Sequence, residues 1–179
     1  MKIKRLDYFY IITNIKEHKN IKKTFIDYIK KMPNIGSNTI SKTDWSLSLK
    51  DKNYIEYFKK SFKPYLNKMA NKLTLNRKKS TWNVGDIWYQ IYNNDTKDYH
   101  SWHNHPNCNF ANIYFLHLPN KNICTQFYDI VSKKSIKNIN IKEGQLITFP
   151  ASLLHRSPPN VSNDKKIIIS FNSNIGMSI

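Results

Sequence analysis

The sequence has few cysteines, no long apolar run and little arginine. Its two cysteines, Cys108 and Cys124, lack the spacing of a metal site and are too few for a disulfide framework. No apolar run approaches the roughly 20 residues that a membrane helix needs, and the N-terminus lacks the apolar segment of a secretory signal. We therefore expect a reduced, cytoplasmic protein that makes no contact with a membrane.

The net charge of +17 comes almost entirely from lysine. Arginine occurs only at Arg5, Arg77 and Arg156, although it is the usual side chain for bidentate contacts with phosphates and bases. Lysine, asparagine and isoleucine are abundant together and all have AT-rich codons, which indicates a compositional bias spread over the surface. Nucleic acid is therefore a disfavoured partner, and a basic binding module without catalysis stays as an alternative.

The chain has two helical patterns followed by many strand patterns. With 179 residues and a hydrophobic fraction of 40%, it is long enough for one domain spanning 1–179. Helical spacing of apolar residues predicts helices over 15–32 and 52–73, the second kinked or divided at Pro64. Alternation and turn signals predict strands at 6–12, 80–82, 86–92, 99–105, 110–118, 123–131, 135–141, 145–149 and 165–172.

This order of elements predicts a mainly β protein. The expected architecture is a jelly roll (cupin-like) over about 80–175, with the helices of the N-terminal part, about 1–75, packed on one sheet.

Three of the six histidines lie within seven residues. On a strand, residues i and i+2 share a face, so His103 and His105 should point the same way, where two imidazoles can hold a transition metal. His155, at the exit of a strand interrupted by Pro150, is the candidate third ligand. His100 is out of phase with His103 and is expected at the rim. The remaining two are interpreted as structural: His18 and His117.

Several motifs follow one another between Trp88 and Asn172. They are Trp88-Tyr-Gln-Ile-Tyr92, Asp98-Tyr99, Trp102-His-Asn-His-Pro-Asn107, Asn112-Ile-Tyr-Phe-Leu116, Gly144-Gln-Leu-Ile-Thr-Phe-Pro150, His155 and Ile169-Ser-Phe-Asn172. This order resembles the Fe(II)/2-oxoglutarate-dependent oxygenases, and more narrowly a small bacterial and phage group of them. The resemblance covers about half the chain.

The resemblance implies a double-stranded β-helix that binds Fe(II), with 2-oxoglutarate as cosubstrate and O2 as oxidant. By position, His103 and His155 match the two histidine ligands, and His105 stands where the family usually has a carboxylate. Alternatively, Asp98 or Asp129 supplies that carboxylate, or the site is degraded and inactive.

The resemblance also implies residues that contact the cosubstrate. The family pairs the far carboxylate of 2-oxoglutarate with a basic residue on the last core strand, and Lys166 matches that position. The expected pocket face of this strand carries Lys166, Ile168, Ser170 and Asn172. Further expected cosubstrate contacts are Tyr92, Tyr114 and Asn172, with Lys165 and Arg156 as reserves for Lys166.

The implied reaction decarboxylates 2-oxoglutarate to succinate and hydroxylates a C–H bond of a small molecule or a protein. Loops at 37–50, 94–97 and 157–163 would border the pocket, and a lysine-rich rim favours an acidic partner. An alternative enzyme is a cupin-like metalloprotein that does not use 2-oxoglutarate, such as a zinc hydrolase. The oligomeric state is not predicted.

Overall fold

The computed structural model describes residues 8–73, 80–136 and 139–177. The helices are α1 (His18–Lys31) and α2 (Ile55–Leu73), with short 3₁₀ turns at Leu49–Asp51 and Lys121–Ile123. The strands are β1 (Ile11–Asn14), β2 (Lys42–Thr43), β3 (Ser80–Tyr92), β4 (His100–His103), β5 (Phe110–His117), β6 (Gln126–Asp129), β7 (Lys134–Ile136), β8 (Gln145–Pro150), β9 (His155–Ser157) and β10 (Lys166–Met177). None of the helices described is long and apolar enough to cross a membrane.

The strands form two antiparallel sheets. The major sheet has the order β1-β8-β5-β10-β3-β2, and the minor sheet has the order β4-β9-β6-β7. Buried side chains from both sheets meet in one core, for example Phe149 of β8 and Phe127 of β6, whose ring centroids are 4.8 Å apart. This arrangement confirms the predicted jelly roll.

Both helices pack on the opposite face of the major sheet. Their buried aromatic side chains contact the sheet directly: Phe58 lies 5.0 Å from Phe171, and Phe62 lies 5.0 Å from Tyr114, between ring centroids. Strand β10 alternates as expected from its sequence, because Ile167, Ile169 and Phe171 belong to this helix-facing core. The major sheet is therefore buried on both faces, and its inner face looks toward the minor sheet.

Several predicted elements differ from those observed. Helix α2 continues through Pro64 without division, and Phe62 and Leu66, buried on either side of it, hold the helix to the sheet. The predicted strands 80–82 and 86–92 are one strand, β3, because β10 pairs with both parts of it, on either side of a register shift. Residues 6–7 of the first predicted strand lie outside the described residues, and the observed strand β1 spans Ile11–Asn14.

Candidate metal centre

His103, His105 and His155 converge, and we call them the triad. Their potential ligand atoms all lie within 4.8 Å of one another. His103 ends β4, His155 begins β9, and the two residues are paired across these strands. His105 follows the end of β4, where its backbone N–H donates to the carbonyl of Ala151. The minor sheet and its adjoining loop therefore supply all three imidazoles.

Backbone carbonyls orient two of these imidazoles. Nδ1 of His103 lies 2.7 Å from the carbonyl oxygen of Ser101, and Nδ1 of His155 lies 2.9 Å from that of Leu153. A carbonyl can only accept, so the proton must sit on Nδ1 in both rings. This tautomer leaves the Nε2 lone pair of each ring free for a metal ion.

The triad is kept neutral. Burial lowers the pKa of His105 to about 4 and that of His155 to about 2, and it also lowers the pKa of His103. A histidine must be unprotonated to bind a metal. The three residues are therefore in the ligating protonation state at neutral pH, and they fit a transition-metal ion in number, spacing and tautomer.

His100 also lies at the site, contrary to the prediction that it sits on the rim. Its ring centroid is 4.0 Å from that of His103. Strand β4 carries a bulge. His100 pairs with Ser157 and His103 pairs with His155, so a span of three residues on β4 lies opposite a span of two residues on β9. The extra residue turns both rings to the same side, which strict alternation forbids.

Lys166 lies in the cavity that the triad also lines, together with Tyr92, Phe115 and Ile168. We call this space the inner cavity. The Lys166 side chain is almost completely buried, at 1% exposure. Its Nζ donates to the carbonyl of Ile123 and to the hydroxyl of Ser157, and it lies 4.3 Å from the centre of the Tyr92 ring. Burial lowers the pKa of Lys166 to about 7.

A second buried lysine shows what Lys166 lacks. Lys52 is 5% exposed, and its Nζ lies 3.9 Å from a carboxylate oxygen of Asp44. Among the described residues, Lys166 has no carboxylate partner. A buried cation without a counter-ion is costly, because removing charge from water is not repaid by neutral hydrogen bonds. The inner cavity is therefore suited to a ligand that carries an anionic group.

Three polar atoms of the major sheet's inner face are buried and without a hydrogen-bond partner. They are Nε2 of Gln90, Oη of Tyr92 and Oδ1 of Asn172, and all three residues line the inner cavity. Buried polar groups normally have partners, so unpaired ones mark a place for a ligand. Tyr92 and Asn172 were predicted to contact the cosubstrate, whereas Gln90 was not predicted. The sequence could have indicated Gln90, because it lies between Trp88 and Tyr92 on the same face of one strand.

Tyr114 does not line the inner cavity, so the structure does not support its predicted contact with the cosubstrate. Its side chain points to the helix-facing side of the major sheet, where its ring packs on Phe62 and its hydroxyl lies 2.6 Å from Nδ1 of His18. Strand β5 is buried on both faces, so its pattern gives no sign of which face looks inward.

The alternative ligands and cations lie in other surroundings. Asp98 accepts hydrogen bonds from the backbone N–H groups of Ser41 and Asn93, and Asp129 accepts them in the turn after β6. Neither belongs to the ligand cluster. Lys165 is exposed. Arg156 lines the inner cavity, but it donates to Gln126 and lies over the ring of Trp102.

A second space, the outer cleft, adjoins the triad and was not predicted. It has a volume of about 270 Å³ and shares His103, His105 and Asn172 with the inner cavity. Trp45 and Asp86 also line it. Trp45 belongs to the 37–50 loop, which was expected to border the pocket, and it is 62% exposed.

Solved structures share this fold at low sequence identity. The viral collagen prolyl hydroxylase of Paramecium bursaria Chlorella virus-1, in its 2-oxoglutarate complex, has a TM-score of 0.62 and 16% identity over 94% of this chain and 96% of that chain. The Pseudomonas putida prolyl-4-hydroxylase has a TM-score of 0.61 and 7% identity over 93% of this chain and 92% of that chain. The epimerase SnoN, complexed with Fe3+, α-ketoglutarate and nogalamycin RO, has a TM-score of 0.63 and 11% identity over 92% and 78%.

A comparison of the sequence with protein-family models and with curated proteins gives no match. The likeness to 2-oxoglutarate/Fe(II) oxygenases is therefore a likeness of fold, and it confirms the fold that the motif order implied.

Proposed function

We propose that this protein is an Fe(II)- and 2-oxoglutarate-dependent dioxygenase that converts the cosubstrate to succinate and hydroxylates a substrate C–H bond. The observation that carries the proposal is one cavity lined both by three convergent neutral histidines and by a buried lysine without a carboxylate partner. These are the two features needed to hold a metal-chelating dianion by both ends.

The triad would hold the metal. Nε2 of His103 and Nε2 of His155 are oriented by their carbonyl partners, and His105 adds the third imidazole in place of a carboxylate. Fe(II) bound there supplies the oxygen-dependent oxidation chemistry that no side chain of the chain can provide. An all-histidine set adds no negative charge, so we expect weaker iron binding than a site containing a carboxylate would give.

Lys166 would pair with the distal carboxylate of 2-oxoglutarate. Its ammonium group has three donors, and the two hydrogen bonds to Ile123 and Ser157 leave one N–H for an anion. The unpaired hydroxyl of Tyr92 lies on the same side of the sheet and can donate to that carboxylate. One carboxylate of the cosubstrate would then balance charge at the metal and the other would balance the ammonium of Lys166, which leaves one positive charge over the three groups together.

The remaining task of the protein is positioning. Apolar side chains of the major sheet, Ile113, Phe115 and Ile168, line the inner cavity and exclude water from it. The outer cleft opens onto the triad from another side and is the space in which a substrate C–H bond can approach.

Anaerobic titration tests the proposal. Metal-free protein is given Fe(II) and then 2-oxoglutarate, and the visible spectrum is recorded. We expect a weak metal-to-ligand charge-transfer band that needs both additions. Iron binding without the band would favour the alternative metalloenzyme, and the absence of iron binding would favour the basic binding module.

The triad makes a sharper prediction. His155→Ala should abolish Fe(II) binding, because it removes a ligand whose ring is held by Leu153. His117→Ala is the matched control: His117 hydrogen-bonds Glu143 and Asp164 away from the triad, so this variant should keep its iron. Calorimetric titration with Fe(II) measures both. Full iron occupancy in His155→Ala would place the metal elsewhere.

A further inference from the structure

The outer cleft has an aromatic wall that leads from solvent to the triad. The rings of Trp45 and Trp88 are stacked, with centroids 6.2 Å apart and an interplanar angle of 28°. Trp88 in turn lies 5.9 Å from His105. Trp88 is buried at 6% exposure, whereas Trp45 is 62% exposed. A large indole left in water beside a metal-binding cluster offers its face to a ligand.

Hydrogen bonds hold the backbone around Trp45 in place. Its neighbour Asp44 is 1% exposed and accepts hydrogen bonds from the hydroxyl of Tyr54 and from the backbone N–H of Tyr89. The Thr43 hydroxyl donates to the carbonyl of Tyr89 and accepts from the N–H of Trp45. These contacts tie the backbone of the Trp45 segment to β3, which places the exposed indole at the cleft.

The charged side chain that lines the outer cleft is negative, whereas the net charge of the protein is positive. The chain carries +17, yet Asp86 is the only aspartate, glutamate, lysine or arginine among the described residues that line this cleft. Asp86 is exposed and, within the described residues, forms no hydrogen bond or ion pair. Lys52 interacts electrostatically with Asp86, but Lys52 is buried and already engaged with Asp44 and the carbonyl of Ile87.

We propose that the outer cleft binds an alkylammonium or alkylguanidinium group, so that the substrate is a lysine-like or arginine-like molecule or side chain. The cation lies against the face of Trp45 and pairs with Asp86, and its alkyl chain extends along Trp88 toward the triad. Cation–π attraction and a carboxylate together select a cation over a neutral or anionic group of the same length. This inference rests on the proposed function for the reaction, but the binding of the cation does not require the metal.

The proposal revises the expectation of an acidic partner. That expectation came from the overall excess of lysine, which describes the whole surface. The lining of the cleft carries the opposite sign, and short-range contacts decide binding because surface charges more than about 10 Å away are largely screened at 0.1 M salt.

The first experiment is calorimetric titration of metal-free protein with n-butylammonium, n-butylguanidinium, 1-butanol and butyrate. Omitting the metal removes any amine–metal bond as the cause of binding. We expect the two cations to bind about twofold to fivefold more tightly than 1-butanol, since a cation–π contact at an exposed site has this size, and we expect butyrate to bind least. Equal affinity for the cations and 1-butanol would overturn the proposal.

Variants then locate the binding. Trp45→Ala should weaken binding of the cations by about threefold to 30-fold, and Asp86→Asn by about twofold to fivefold. Asp27→Asn is the matched control, because Asp27 is an exposed aspartate on α1 outside the cleft. Circular dichroism confirms that each variant is folded. Unchanged affinity in Asp86→Asn would contradict the assigned site.

Two arms distinguish the source of the cation. Nα-acetyl-lysine amide represents a small molecule, and a short peptide with one central lysine represents a protein. Tenfold tighter binding of the peptide would support a protein substrate, and equal binding would support a small molecule. If the charge-transfer band forms but no cation binds, this inference fails alone; if cations bind and no band forms, the proposed dioxygenase activity fails alone.

Discussion

At the scale of single residues, Lys166 carries a specific prediction about cosubstrate binding. Lys166→Met removes the charge and keeps most of the volume, so affinity for 2-oxoglutarate should fall about tenfold to 100-fold, as expected for a hydrogen bond to a charged group. Titration of the charge-transfer band measures this affinity. Lys165→Met, at the exposed neighbouring position, is the control and should leave it unchanged. A normal affinity in Lys166→Met would exclude Lys166 from the cosubstrate site.

Lys166 should also affect how the free energy of unfolding depends on pH. Burial lowers the pKa of Lys166 from 10.5 to about 7, so between these values the unfolded chain binds a proton that the folded chain does not. Stability should therefore rise with pH across this window, and it should rise less in Lys166→Met. Urea unfolding at pH 7 and pH 9.5 measures the difference. An identical pH dependence in both proteins would show that Lys166 is not buried as described.

The alternation of polar and apolar residues predicted which face of β10 looks toward the inner cavity, because that strand is more polar on one side than on the other. They did not reveal the orientation of Tyr114, because β5 is buried on both sides. They also missed Trp45 and Asp86, which are far apart in sequence and come together only when the 37–50 loop lies over β3. The triad was predictable because two members are two residues apart and the third follows a recognisable strand.

At the scale of elements, the order of helices and strands was predictable, whereas local irregularities were not. The bulge in β4 sets three residue steps on β4 against two on β9. It therefore depends on β9, which lies more than 50 residues along the chain. No local pattern contains that information. The same applies to α2, where burial on both sides of Pro64 overrides its tendency to interrupt a helix.

Helix α1 is joined to the major sheet by Glu143. This carboxylate accepts hydrogen bonds from Nζ of Lys22 at 2.6 Å and from the backbone N–H of Leu118 at 3.0 Å, and it lies within 3.1 Å of ring nitrogens of His18 and His117. Burial acts to raise the pKa of Glu143, but these hydrogen bonds outweigh it and lower the pKa to about 2.

Glu143→Gln should lower the free energy of unfolding by about 1–2 kcal/mol at pH 7, allowing for partial exposure of the site. Because the folded pKa is depressed, the stabilisation is complete above pH 4.5 and is lost as the pH falls toward 2. Urea unfolding at pH 7 and pH 3 measures both effects. Glu56→Gln, on an exposed pair with Lys59, is the control and should change stability by less than about 0.5 kcal/mol. A difference between wild type and Glu143→Gln that is as large at pH 3 as at pH 7 would contradict this account.

At the scale of the whole molecule, stability and chemistry are divided between the two faces of the major sheet. The helix-facing side holds the stacked aromatic core around Phe62, whose ring contacts Phe58 at 4.6 Å and Tyr114 at 5.0 Å. The other side looks onto the inner cavity, and the triad itself comes from the minor sheet and its adjoining loop. Substitutions on one face should therefore act on one property.

Phe62→Ala tests this division. Deleting a fully buried ring should lower the free energy of unfolding by about 3–5 kcal/mol, yet Fe(II) affinity measured well below the unfolding temperature should change less than twofold, since no triad residue contacts Phe62. Phe62→Leu keeps most of the volume and should cost far less stability with the same unchanged affinity. Urea unfolding and calorimetric titration with Fe(II) give the two quantities. A fall in Fe(II) affinity that follows the loss of stability across these variants would mean that the helix-facing core sets the geometry of the triad, and the two faces would then have to be treated as one cooperative unit.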